Sequence, residues 1–289
     1  PPPPPPFQAE DGIRDSVNGL VGSEMCIRDS TRCDKPICVE CSNDASVGQL
    51  CPECAAPSDR HRVVRGRQIY GRPTFQTAPV SFTIMAITVA IYVAGMLSPD
   101  LDIWLTNTFA QANWLVADGD WWRIFTAALL HGSLIHIGFN MYALYLFGPR
   151  MEQQVGSVPF AALYLAAAGA GGLLSYLIGP LNQVSIGASG AIFGLFGAWI
   201  FVAWKMRKTP GGRSMFTQLF VLLAINVVIS FTPGIDGLAH LGGFLAGLGI
   251  AALWSVFAAG RTNAVGIRTA IAGAVVAIDL VAVLMVAPF

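Results

Sequence analysis

The chain has 289 residues, of which 54% are hydrophobic and 12% charged, with a mean hydropathy of +0.58. Soluble domains carry about 25% charged residues, so half that share, with 31 glycines, excludes an ordinary soluble domain and indicates a polytopic membrane protein. Basic and acidic side chains, 17 of each, cancel to a formal net charge of zero, so no bulk polarity points to a nucleic-acid partner.

Residues 1–30, a run of prolines from Pro1 to Pro6 followed by Phe7 to Ser30, have neither apolar periodicity nor a signal-peptide layout. They resemble translated sequencing-adapter read-through, so a non-native or disordered segment is expected, set aside together with Cys26. Residues 31–56 are cysteine-rich: Cys33, Cys38, Cys41, Cys51 and Cys54 form the pattern C-x4-C-x2-C-x9-C-x2-C. Two C-x2-C knuckles this close suit tetrahedral zinc, because each places two thiolates on one side of the metal. The rival is a disulfide pair in an oxidising compartment; a cytoplasmic location, argued below, keeps thiols reduced and favours structural zinc. Five ligands exceed one site, and Cys38, Cys41, Cys51 and Cys54 would make a complete one. Nothing nearby supplies an open catalytic position, so a structural or regulatory module is expected. Residues 57–78 form a basic linker, in which His61 reads as solvated.

From Pro79 onward the chain is a series of apolar blocks. A hydrocarbon core of about 30 Å needs about 20 apolar helical residues, and unpaired backbone groups exclude other forms in lipid. Spans are expected at 79–97, 127–148, 158–179, 187–204, 216–232, 236–258 and 268–288. Arg60, Arg62, Arg65, Arg67 and Arg72 precede the first, Lys205, Arg207, Lys208 and Arg213 follow the fourth, and Arg261 and Arg268 separate the last two. Asp100, Asp102, Asp118, Asp120 and Asp236 lie in the opposite loops, where Arg123 is the one basic residue. The positive-inside rule then places the N-terminus in the cytoplasm and the C-terminus outside.

With that orientation, even-numbered spans begin at the outer face. His131 and His136 lie at the start of the second, Ser189 at the start of the fourth and His240 at the start of the sixth, all at one depth. Taken alone, Ser189 between Ala188 and Gly190 is ordinary helix-packing chemistry. Small neighbours also leave a nucleophilic hydroxyl unshielded, and a helix N-terminus favours developing negative charge. His240 stands one turn ahead of Gly243 and Gly247, a G-x-x-x-G seam that turns it toward protein. An imidazole with an ordinary pKa near 6.5 suits a general base, although a structural histidine bonded to a carbonyl fits the same position. His136 and Asn140 share a helical face and could donate to an oxyanion, or satisfy loop backbone groups.

These motifs resemble the rhomboid family over about 79–260: G-x-S-G at Gly187 to Gly190, A-H at Ala239-His240 with Gly243, and H-x4-H-x3-N at His131, His136 and Asn140. Trp122-Arg123 resembles the W-R of the first external loop, and Glu152 with Gly156 the E-x3-G after the second span. The resemblance implies an all-α membrane protein with a six-helix core at 79–260 and one further helix at 261–289. It also implies an intramembrane serine endopeptidase using Ser189 as nucleophile and His240 as base, without an aspartate or any catalytic cofactor. His136, Asn140 and the Ser189 backbone N–H would form the oxyanion hole, Phe193 would lie against His240, and His131 would shape the entrance. Arg123 and Glu152 are implied as loop anchors. Its partners would be the lipid bilayer and single-pass membrane substrates, cleaved near the outer face of a bacterial plasma membrane. The cysteine stretch resembles the zinc ribbon or B-box-like knuckle that many rhomboid-like proteins of high-GC bacteria carry ahead of the membrane domain, commonly with a further cysteine where Ser30 stands here. An inactive rhomboid-like binding or chaperone protein should lack the Ser or the His. A transporter would place its polar residues at the midplane, commonly with inverted repeats.

Overall fold

The computed structural model describes residues 27–38, 41–44, 48–55 and 73–286, and the side chains of Ile27, Arg28 and Cys38 lie outside that description. Cys26 and the basic stretch from Arg60 to Arg72, with His61, also lie outside it. Two units divide the chain, Pro1–Ile69 and Tyr70–Phe289.

In the first unit, β1 (Ile27–Asp29) pairs antiparallel with β2 (Pro36–Cys38), Ile27 opposite Cys38. The connection turns through Asp34 at φ 54°, a left-handed position that Asp tolerates better than most residues. A second short hairpin, β3 (Asn43–Asp44) with β4 (Gln49–Leu50), leads into a single helical turn, α1 (Pro52–Ala55).

The second unit is helical. It runs through α2 (Pro79–Leu97), α3 (Pro99–Phe109), β5 (Gln111–Ala112), α4 (Asn113–Ala117), α5 (Arg123–Thr126) and a 3-10 turn at Ala127–Leu129. It continues through α6 (Leu134–Val155), α7 (Ser157–Ile178), β6 (Val184–Ser185), α8 (Ser189–Met206), α9 (Pro210–Ile229), α10 (Gly237–Phe257) and α11 (Ala264–Val286). By length and composition α2 and α7 to α11 can cross a membrane, six helices among the described residues, and α6 joined to the bent segment before it makes up to seven. The chain is thus an all-α polytopic membrane protein.

Three expected boundaries move most. The second span begins at Leu134 rather than 127, because the chain bends by 97° after the 3-10 turn and restarts where the Ser133 side chain accepts the His136 N–H at 3.2 Å. It also runs on to Val155 through Pro149, Arg150 and Glu152, residues that hydropathy places beyond the span. The fifth begins at Pro210 rather than 216, where Thr209 caps the helix by accepting the Gly212 N–H at 3.1 Å and Pro210 fits the first turn. Helices α3 to α5 fill what hydropathy marks only as a polar loop. Ser98 starts α3 by accepting the Leu101 N–H.

Helix α8 lies at the centre with most of its residues buried, whereas few residues of α9 are. Glu152, 1% exposed, joins the far end of the bundle: its carboxylate accepts the N–H groups of Val80 and Ser81 at 2.9 and 2.8 Å, and the hydroxyls of Ser81 and Ser157. It thus caps α2, whose own preceding residue Ala78 has no capping side chain. Arg123 holds the segment between α2 and α6 together. Its guanidinium donates to the Ala110 and Asn107 carbonyls, each at 2.8 Å, and pairs with Asp120.

Candidate active site

At the end of the bundle away from Glu152, the starts of α6, α8 and α10 converge. Helices α8 and α10 meet along glycines on both sides. A Cβ on Gly243 would strike the Gly190 carbonyl and one on Gly247 the Gly194 carbonyl, while Gly197 faces the Phe244 carbonyl. Substituting any of them forces the backbones apart, so the seam brings the N-terminal turns of the two helices side by side. Gly190, next to Ser189, approaches the carbonyl of Ala239, next to His240, at 3.4 Å from its would-be Cβ.

His240 is 8% exposed and held on two sides. The Phe193 ring stacks on it at 4.1 Å between centroids and 10° between planes, while its Nδ1 lies 2.7 Å from Ser230 Oγ at the end of α9. The opposite ring nitrogen, Nε2, is left for another partner. Half-buried Ser189 opens α8 behind Ala188, which offers no capping side chain. The first-turn N–H groups of α8 therefore lack an intrahelical partner and are available as donors.

His136 and Asn140 reach the same place from α6. Gly187, two residues before Ser189, has φ +122°, and a Cβ there would lie 2.6 Å from His136 Nε2 and 3.7 Å from Asn140 Nδ2. Glycine is needed on both counts. One N–H of the Asn140 amide goes to the His136 carbonyl at 3.1 Å, leaving the other. His131 packs edge-on against His136 with centroids 4.8 Å apart, and its Nε2 accepts the Ala188 N–H at 3.5 Å. His131 therefore shapes the turn into α8.

Asp236, which composition marks only as an external charge, is a central joint. It caps α10 by accepting the Ala239 N–H at 2.9 Å, and its other carboxylate oxygen accepts the hydroxyls of Ser175 on α7 and Ser185 on β6. Strand β6 pairs with β5, Gln111 opposite Ser185. Asp236 stands four residues before His240 and Ser185 four before Ser189, so one carboxylate ties the approaches to both.

In the first unit, Cys33, Cys51 and Cys54 place their sulfurs within 4.8 Å of one another, a group able to hold a metal ion. Cys41 is not one of the three, and the Cys38 side chain lies outside the described residues. The cluster thus differs from the four-cysteine set expected from the knuckles. Cys33 and Cys51 sulfurs are 3.7 Å apart. A zinc–sulfur bond of about 2.3 Å gives a tetrahedral S···S edge of about 3.8 Å, whereas a disulfide needs about 2.05 Å. Buried Ser30 lies beside the group, accepting the Cys51 N–H at 3.2 Å. Its hydroxyl leads the hydrogen bonds that lower the Cys33 thiol to about 7, while hydrogen bonds with Cys33 and Cys51 raise Cys54 to about 11.

The Rhomboid domain family model matches residues 118–259, a stretch that holds His131, His136, Asn140, Ser189, Asp236 and His240. The protein named "Putative rhomboid protease YdcA" of Bacillus subtilis (strain 168) is 34% identical over 170 residues, covering 58% of this chain and 85% of YdcA. Rhomboid protease GluP of the same organism is 36% identical over 183 residues, 62% of this chain but 36% of GluP. RHOMBOID-like protein 5 of Arabidopsis thaliana is 37% identical over 137 residues, 46% of this chain and 44% of the plant protein. A glycine-sutured helix pair carrying Ser and His, a domain match over the same residues and a bacterial relative aligned along most of its length agree: the chain belongs to the rhomboid family.

Proposed function

We propose that the protein is an intramembrane serine endopeptidase that cleaves transmembrane segments of membrane-protein substrates near the outer face of a bacterial plasma membrane. One observation carries this reading: His240, clamped by Phe193 and Ser230, stands at the glycine seam beside the uncapped start of α8, where Ser189 sits.

In this reading Ser189 Oγ attacks the scissile carbonyl carbon while His240 Nε2 takes the hydroxyl proton. The carbonyl oxygen becomes an oxyanion, bonded by the Ser189 N–H, the remaining Asn140 N–H and His136. Such donors stabilise the charge where it forms, and removing one costs about 10²- to 10³-fold in rate in serine proteases. Collapse of the intermediate breaks the C–N bond, and the imidazolium returns its proton to the leaving amine. A water, deprotonated by His240, then hydrolyses the acyl-enzyme and regenerates Ser189. Neither a catalytic metal nor an aspartate enters this sequence.

The basic residues before α2 and after α8 favour a cytoplasmic N-terminus, which sets the site near the external surface, where hydrolytic water is within reach. The cysteine unit is read as a structural zinc site with Cys33, Cys51 and Cys54 as ligands; the metal would crosslink the hairpins.

Purified protein in detergent should cleave a reference transmembrane substrate, and a fluorophosphonate probe should label it. Ser189→Ala should abolish both and His240→Ala the cleavage, with folding retained. Cleavage by well-folded Ser189→Ala protein would overturn the assignment. A folded wild type that neither cleaves nor labels would instead favour a rhomboid-like binding protein. Elemental analysis should find about one zinc per full chain, lost in Cys51→Ser; equal metal in both would remove these cysteines as ligands.

A further inference from the structure

We propose that Ser230 is a positioning residue that fixes the tautomer of His240, keeping the ring proton on Nδ1 so that Nε2 can receive the proton of Ser189. The inference rests on the Ser–His reading above and adds a residue that no motif marks.

Ser230 Oγ lies 2.8 Å from the Asn226 carbonyl and 2.7 Å from His240 Nδ1. A carbonyl only accepts, and a hydroxyl has one proton. A proton spent on Nδ1 would leave the Ser230 and Asn226 oxygens facing each other at 2.8 Å with none between them, so the hydroxyl donates to the Asn226 carbonyl, whose second lone pair takes the Ser230 N–H at 2.9 Å. What Ser230 presents to His240 is a lone pair, and a lone pair 2.7 Å from Nδ1 calls for a proton on Nδ1. In a neutral imidazole, Nε2 is then the acceptor.

The surroundings support the same state. Phe193 fixes the plane of the ring but carries no polar atom to choose between its nitrogens. The titratable groups acting on His240 are Asp236, which caps α10 four residues earlier, and His136 from α6. The Asp236 carboxylate is engaged by Ala239, Ser175 and Ser185. Orientation of the ring thus falls to a neutral hydroxyl on a different helix, in the place that a carboxylate fills in a Ser-His-Asp triad. A neutral acceptor selects the tautomer while contributing less to the imidazolium than a carboxylate would.

The test combines nitrogen-15 NMR of histidine-labelled full-length protein in detergent with kinetics on a reference transmembrane substrate. Wild-type His240, assigned by its loss in His240→Gln, should show the Nδ1–H tautomer near neutral pH. Ser230→Ala should give a mixture of tautomers and lower kcat about tenfold, the size expected for losing one hydrogen bond to the base, with KM changed less than about twofold. Ser230→Thr, which restores the hydroxyl, should return both the Nδ1–H signal and kcat. An Nε2–H tautomer in the wild type overturns the proposal, as does a Ser230→Ala protein that keeps both the Nδ1–H signal and full kcat. The wild-type spectrum decides the tautomer even if Ser230→Ala does not fold. It is also recorded without turnover, so failure of the Ser–His reading, seen as cleavage by Ser189→Ala, is separately recognisable.

Discussion

Replacing Asp236 with alanine removes three hydrogen bonds from one carboxylate: the Ala239 N–H on one oxygen and the Ser175 and Ser185 hydroxyls on the other. Losing the helix cap costs about 1 kcal/mol. Ser175 is wholly buried, and a stranded buried hydroxyl costs about 1–3 kcal/mol, while half-buried Ser185 can turn to water for less. The expected destabilisation is about 2–4 kcal/mol, or roughly 5–15 °C in melting temperature for a domain of this size. The effect should not stop at stability. His240 follows Asp236 by one turn, and a displacement near 1 Å at a reacting group can cost about 10²-fold. Asp236→Ala molecules that remain folded should therefore lose about 10- to 100-fold in kcat. Asp236→Asn keeps an oxygen for the cap and an amide that the two hydroxyls can bond, so it should fall between wild type and alanine in both measurements. Thermal unfolding in detergent, followed by intrinsic fluorescence, and cleavage of a transmembrane substrate per folded molecule check the two parts. An Asp236→Ala protein that melts within about 1 °C of wild type and retains full kcat would refute the reasoning.

Glu152→Ala strands two backbone N–H groups and two hydroxyls at the opposite end of the bundle, so a loss of about 3 kcal/mol or more is expected. Because Glu152 holds helices and no reacting atom, the folded fraction should still react with fluorophosphonate at the wild-type rate; a specific loss of labelling would contradict the anchor role. Gly187→Ala combines a strained φ of +122° with a Cβ 2.6 Å from His136 Nε2, so His136 must move. It should lower kcat about 100-fold, as expected when an oxyanion donor is displaced, and unchanged kinetics would argue against His136 at the oxyanion. Arg123→Lys keeps the charge but cannot span Asp120, Asn107 and Ala110 at once, so faster proteolysis between α2 and α6 is expected under limited chymotrypsin, which can cut at the aromatic residues of that segment. Equal cutting would mean that the segment is held by other contacts.

What the sequence made legible is what depends on local pattern. Apolar blocks located the helices, and Gly187 to Gly190, His240 with its glycines, and His136 with Asn140 marked three helix starts that the fold does bring together. Helix ends were less legible, because caps decide them. Ser133 and Thr209 are polar residues that hydropathy treats as loop, yet they fixed the starts of α6 and α9. The extension of α6 to Val155 was hidden for a similar reason, since a buried Glu152 satisfied by four donors is compatible with a helix end that composition rejects. Among the cysteines, spacing favoured the C-x2-C knuckles, but the turn of one hairpin lies against the end of the next, and Cys33 meets Cys51 that way.

Asp236 and Ser230 show where reading by motif ends. Asp236 did carry a signal, an acidic residue three before Ala239 at the start of an apolar helix, which is an N-cap position. Charge alone places it only in the external loop. Ser230 carried none: its link to His240 runs between two helices, and its meaning comes from the Asn226 carbonyl that takes its proton. A serine at the end of an apolar helix is normally a local cap, bonding the carbonyl four residues back, and Ser230 does that too. The same local bond is what leaves the hydroxyl with only a lone pair to offer His240. An ordinary helix-end interaction thereby determines which nitrogen of an imidazole on the next helix holds the proton.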